Sequence, residues 1–184
     1  MALASKQIAE QHLVLTAIGQ DKTGLVSELT GLVSECRCNV VDSKMAIFGN
    51  EFTMIMLLAG DSASLVQLEM QLPQLAIKLN LLTMMKRTAK HLELSVDNLQ
   101  VTLEGPDRAG TIKTITSFFA QNNVDISSLK SNTSTQNEQE WQVAEIVISL
   151  PSELSIEKLD LGLSDVCKTL NMTATINPIT IDSK

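Results

Sequence analysis

The stretch Asp21-Lys22-Thr23-Gly24-Leu25-Val26-Ser27-Glu28-Leu29-Thr30-Gly31-Leu32-Val33 sets a polar turn with a glycine directly ahead of apolar residues at Val26, Leu29 and Val33. That spacing predicts a helix. The pattern returns in Asp107-Arg108-Ala109-Gly110-Thr111-Ile112, with Ile112, Ile115 and Phe119 as the apolar stripe, and every matching position lies 86 residues further along. Working backwards at the same offset, Leu13, Leu15 and Ala17 fall on Leu99, Val101 and Leu103, Thr16 on Thr102, and Gly19 on Gly105. Both copies therefore open with a strand, and the chain reads as two copies of one unit.

Working forwards, Asn39 to Ile47 alternates as a strand with Val41, Met45 and Ile47 on one face, and Gly49-Asn50 supplies a turn into the nearly continuous apolar run Phe52 to Ala59. This is a hairpin whose second strand is central. Asp61 or Ser62 caps the next helix, marked by Leu65, Leu68 and Leu72, and Pro73 is expected to break or restart it. Leu81 to Lys86 closes the unit as a strand. In the second unit a helix follows Gly110 and reads two residues shorter than its counterpart. Strands follow at Val124–Leu129 and Gln142–Leu150, separated by a polar stretch from Lys130 to Gln139 that reads as a mobile loop. Ile156, Leu159, Leu163, Val166 and Leu170 mark a last helix, and Thr173 to Ile179 a last strand.

The order strand, helix, strand, strand, helix, strand, twice over, predicts an α+β protein of two tandem ferredoxin-like βαββαβ units. Each unit is an antiparallel four-stranded sheet with both helices on one face. The division is expected at residues 1–90 and 91–184. In the first strand the side opposite Leu13, Leu15 and Ala17 carries Val14, Thr16 and Ile18, where the second unit has Gln100, Thr102 and Glu104. An apolar back of this kind is expected to be covered, by the sister unit or by another chain, so a homo-oligomer is among the expectations.

Composition narrows the function. Of 184 residues 44% are hydrophobic and 19% charged, which suits a packed globular protein. A formal net charge of -7 disfavours direct nucleic-acid binding, since that affinity comes largely from lysine and arginine displacing counterions. The one basic cluster, Lys86-Arg87-Thr88-Ala89-Lys90-His91, reads as a solvated strand end and linker. No window is long and apolar enough for a membrane helix, and the opening Met1-Ala2-Leu3-Ala4-Ser5-Lys6-Gln7 has no apolar core of signal-peptide length, so a cytoplasmic protein with no membrane partner is expected. Three cysteines fit a reducing compartment, and Cys36 and Cys38 lack the further ligands of a zinc site. An enzyme is poorly served by two histidines, no tyrosine and no Gly-rich phosphate loop, so no catalytic residue and no cofactor are expected.

A βαββαβ unit whose first helix opens with Asp-x-x-Gly and whose second strand starts Asn-Val, as in Asp21 to Gly24 and Asn39-Val40, resembles the ACT domain, a module that senses small molecules and usually amino acids. The tandem of two, with Leu82-Thr83-Met84-Met85-Lys86-Arg87-Thr88 closing the first, resembles a bacterial family of transcriptional repressors of the glycine cleavage system. The resemblance implies a non-enzymatic regulator that takes glycine or a similar small amino acid. It also implies that the regulator acts by protein contact on a LysR-type transcriptional activator, repressing it when glycine is scarce; a different protein partner or enzyme is the alternative.

Free amides at a helix start suit a carboxylate, and a glycine there lets it approach the backbone. The resemblance implies acceptors for the ammonium at the loop and at the start of the second strand. The candidate ligand residues are thus Asp21, Thr23, Gly24, Leu25, Val26, Asn39 and Val40, with Asp107, Gly110, Asn123 and Asp125 in the second unit. Asp21 and Asn39 also have purely structural readings, as acceptors for their own turn and as a helix end. In the second unit Ala109 replaces Thr23 and Phe118 and Phe119 enlarge the stripe, so one working site is as consistent with the sequence as two.

Overall fold

A computed structural model describes residues 10–89, 98–136 and 138–179. The chain parts into two compact units between Leu92 and Glu93. In the first, β1 (Gln11–Gln20), α1 (Leu25–Glu35), β2 (Asn39–Phe48), β3 (Glu51–Gly60), α2 (Ser62–Leu79) and β4 (Leu82–Thr88) follow in the expected order. In the second, β5 (Asn98–Pro106), α3 (Thr111–Gln121), β6 (Asp125–Gln136), β7 (Gln139–Ser149), α4 (Ile156–Leu170) and β8 (Thr173–Pro178) repeat it. The sheets have the orders β2-β3-β1-β4 and β6-β7-β5-β8, all neighbours antiparallel. Each is the ferredoxin-like βαββαβ arrangement.

Alternation along the central strands decides which face is covered. Leu13, Leu15 and Ala17 of β1 and Phe52, Met54, Met56 and Leu58 of β3 are buried beneath α1 and α2. In the second unit Leu99, Val101 and Leu103 of β5 and Ala144, Ile146 and Ile148 of β7 hold the same places. The α1 stripe is turned by one residue from the expected one. Leu25, Leu29, Leu32 and Val33 are its buried residues, while Val26 is 37% exposed. The two first helices are equal at 11 residues each, so the second is not shortened.

Two further expectations are corrected. Helix α2 runs unbroken through Pro73 from Ser62 to Leu79. Its buried stripe, Leu65, Leu68, Leu72 and Ala76, lies on both sides of the proline, and Pro73 itself is exposed, so water reaches the side of the helix where its missing N–H leaves a free carbonyl. The polar stretch read as a loop is strand from Lys130 to Gln136 and again at Gln139. Pairs continue from Lys130–Glu145 through Asn132–Val143 to Gln136–Gln139, with the turn carrying Glu138 at φ 64°. Ser131, Thr133 and Thr135 at alternate positions and side-chain bonds such as Gln142 Nε2 to Ser131 Oγ, 3.0 Å, sustain a polar ribbon.

Strand β2 carries a bulge between Val40 and Asp42, with Val41 as the extra residue. Strand β6 carries the same bulge between Ile126 and Ser128, 86 positions on. Among the described residues no helix is long and apolar enough to cross a membrane.

Candidate ligand site at the first helix of each unit

Strand β1 delivers the chain to the edge of the sheet at Gln20, and the next amide, that of Asp21, donates to the carbonyl of Asn50 in the β2–β3 turn at 2.9 Å. This bond pins the loop to the hairpin. The chain then reaches Gly24, which caps α1 at φ 97° and ψ -9°, a left-handed conformation that disfavours any residue with a Cβ. A Cβ built there would meet nothing within 4 Å, so the space above the glycine is open.

No side chain caps α1. The Leu25 amide is satisfied by the Lys22 carbonyl at 3.4 Å and the Glu28 amide by Gly24 at 2.9 Å, while no hydrogen bond among the described residues uses the amides of Val26 and Ser27. These are the donors a helix leaves unpaired, at the end where its dipole is positive. Asp21, Thr23 and Val26 flank them and are exposed; Leu25 is buried as an anchor. Chemically the arrangement offers two backbone donors, a reachable glycine and a carboxylate to one side, the complement of a small zwitterion.

The second unit builds the same corner, and among the described residues no hydrogen bond uses the Ile112 and Lys113 amides either, but its carboxylate is engaged. Gly110 caps α3 at φ 91° with open space above it, and the Asp107 amide donates to Glu140 at 2.8 Å. Here, however, the Asp107 carboxylate accepts from Thr133 Oγ1 at 2.9 Å, a residue on the lengthened β6. Among the described residues the Asp21 side chain has no such bond. Thr111 is buried with its hydroxyl donated to the Arg108 carbonyl at 2.9 Å, closing the turn on itself. Gln142 stands where the first unit has Phe52, each opposite the glycine of the first strand, and its Oε1 is buried without a partner. Thr133 and Gln142 were both missed from sequence; the alternate Ser131, Thr133 and Thr135 carried the strand signal.

The other candidates lie elsewhere. Asn39 begins β2 opposite Ala59, whereas Gln20 lies opposite Glu51, so eight residues of β3 separate the two ends, about 26 Å at a strand's rise. Within one unit the loop at Asp21 and the start of β2 at Asn39 and Val40 cannot touch one glycine molecule. Asp125 occupies the place of Asn39 at the start of β6 and pairs with Ser149, equally far from Asp107. Asn123 is not the equivalent of Asn39: at φ 54° it matches Arg37 at φ 57°, the left-handed residue that ends the first helix.

Near the other end of the sheet, Arg87 of β4 grips Glu69 of α2 with Nε and Nη2 at 2.6 and 2.8 Å and reaches Gln11 with Nη1 at 2.9 Å. The hydrogen bonds from Arg87 hold the Glu69 carboxyl below its ordinary range, against a smaller opposing effect of burial. Burial pushes the thiols of Cys36, Cys38 and Cys167 up, so all three rest as protonated core groups.

Similarity to known proteins agrees with this architecture. The model of the ACT domain matches residues 11–86. The glycine cleavage system transcriptional repressor of Escherichia coli K12 is 32% identical over 174 residues, 93% of this chain and 92% of that protein. A crystal structure of a candidate glycine cleavage system transcriptional repressor superposes with a TM-score of 0.75 at 33% identity, covering 92% of this chain and 98% of the other. A protein of unknown function from Galdieria sulphuraria has the same fold, with a TM-score of 0.74 at 21% identity over 94% of this chain and all of its own. With both units, their order and nearly the full length of these repressors in common, the chain belongs to the ACT-domain family of glycine cleavage system transcriptional repressors.

Proposed function

We propose that this protein is a non-enzymatic cytoplasmic regulator of the glycine cleavage system that senses glycine, or a similarly small amino acid, at the start of α1. The observation that carries the reading is the uncapped α1 N-terminus with the Asp21 carboxylate unbonded among the described residues, in a chain alike over almost its whole length to a repressor of that system. The ligand's carboxylate takes the amides of Val26 and Ser27, and Gly24 admits it to the backbone. Its ammonium takes Asp21. A bulkier amino acid would need room for its side chain that this open corner does not shape, whereas glycine asks only for the two charges.

The first unit is the ligand-competent one, because Thr133 already holds Asp107 in the second. Asn39 and Val40, or Asp125, contribute only where the start of a second strand from another unit comes to the loop. Glycine then acts by binding one of two states better than the other, and the favoured state changes docking on a LysR-type activator. Isothermal calorimetry with glycine, followed by pull-down of the activator across glycine concentrations, tests both halves. Saturable heat and a glycine-dependent complex support the reading; no heat together with glycine-independent docking contradicts it.

A further inference from the structure

The face of the first sheet turned away from α1 and α2 is apolar over much of β4, β1 and β3, with Lys86, Asp42 and Lys44 as its charged residues on the two outer strands. Across β4, β1, β3 and β2, one row reads Lys86, Val14, Leu57, Asp42, and the next Met84, Thr16, Ile55, Lys44. A third begins Leu82, Ile18. Leu82 is 78%, Met84 64%, Ile55 45% and Ile18 41% exposed, a run of apolar side chains too continuous to be incidental. The sister unit has no matching face. Its β5 presents Gln100, Thr102 and Glu104, its β8 Thr173, Thr175 and Asn177, and its β6 Ser128, Lys130 and Asn132, so the valines of β7, Val143 and Val147, stand apart among polar and charged neighbours and make no continuous apolar cover for the first unit.

We propose that this face joins two copies of the chain, back to back, about a two-fold axis parallel to the strands and midway between β1 and β3. Only a self-complementary surface closes such a dimer, and the rows meet that condition. The axis lays β4 of one copy over β2 of the other, which sets Lys86 against the partner's Asp42 at both margins of a single row. It sets Val14 over the partner's Leu57 and Thr16 over the partner's Ile55, while the stem of Lys44 covers the partner's Met84. The aligned strands are the usual geometry of two stacked sheets. Four strands at about 4.8 Å spacing and about seven residues of length give a face of about 450 Å² in projection. Counting both copies and the relief of their side chains, the buried area reaches the lower range of stable specific interfaces.

The test uses the full chain without ligand, so it stands apart from the glycine reading. Sedimentation equilibrium should show a reversible dimer for the unaltered protein. Ile55→Glu should yield a monomer with unchanged far-UV circular dichroism; if that variant does not fold, Met84→Glu on the edge strand serves in its place. Lys86→Glu and Asp42→Lys should each weaken the dimer about tenfold, and the two together should restore it to within about threefold. The proposal is overturned by a monomer at all concentrations, including one in which the sister unit shields Ile55 and Met84. It is overturned equally by a dimer that survives the Ile55 or Met84 substitution, or by a double charge variant no tighter than the singles.

Discussion

Gly19 and Gly105 show how a repeated residue can be structural. A Cβ at Gly19 would stand 2.7 Å from Leu81 Cδ2 and 2.8 Å from the Asn80 carbonyl, and at Gly105 2.7 Å from Met172 Cγ and 3.0 Å from the Asn171 carbonyl. In each unit the first strand passes hard against the left-handed residue that ends the second helix, Asn80 at φ 56° and Asn171 at φ 54°. Gly19→Ala should destabilise the protein by about 2–3 kcal/mol, because backbone rather than a flexible side-chain tip must give way, and urea unfolding reads the loss directly. Gly24 differs, since its conformation demands glycine while the space above it stays empty. Sequence made the two kinds of glycine look alike: both recur at the same offset, and only packing separates a close approach from an open mouth. For the same reason Asn123 read as a site residue although it serves to end a helix.

At the scale of elements, the proline in α2 measures how far packing overrides local preference. The helix persists because Leu72 and Ala76 hold the sheet on either side of Pro73, and the lost backbone bond is left as a cost. Pro73→Ala should therefore raise stability by about 1–3 kcal/mol in chemical denaturation, with helix content unchanged. The Arg87–Glu69 bridge ties α2 to β4 and gives the fold a pH dependence of known sign. The folded state lowers the Glu69 pKa, so its contribution is complete above the unfolded value, near the ordinary carboxylate range of about 4.3, and is lost as pH falls through the lowered folded value. Both side chains are about a third exposed, at 34% and 32%, so solvent screening keeps the effect modest. Melting followed from pH 7 downwards should show the unaltered protein losing stability faster than Glu69→Gln over that window; parallel curves would mean the bridge contributes nothing.

Element order, hairpins and covered faces were legible because alternation and helical spacing are set by burial, which leaves a mark on every second or every third to fourth residue. The long β6–β7 ribbon was not legible. Its pairing rests on backbone bonds and on hydroxyls such as Thr133 and Ser131, which leave no apolar rhythm. Of the candidate site, the turn and glycine ahead of α1 were legible in Asp21 and Gly24, whereas the bond from Thr133 to Asp107 in the second unit depended on that unread ribbon.

At the scale of the whole molecule, one fold is present twice with its assets divided. Among the described residues the first unit has an unbonded carboxylate at its helix start and a largely apolar sheet back; the second has Asp107 bonded by Thr133 and a mixed back. The proposed binding of a single small zwitterion at the α1 start is tested most directly by calorimetry of glycine on the unaltered protein, Asp21→Ala and Asp107→Ala. The account predicts one site per chain, abolished by Asp21→Ala and kept by Asp107→Ala. Two equal sites, or glycine binding that persists in Asp21→Ala and disappears in Asp107→Ala, would contradict it.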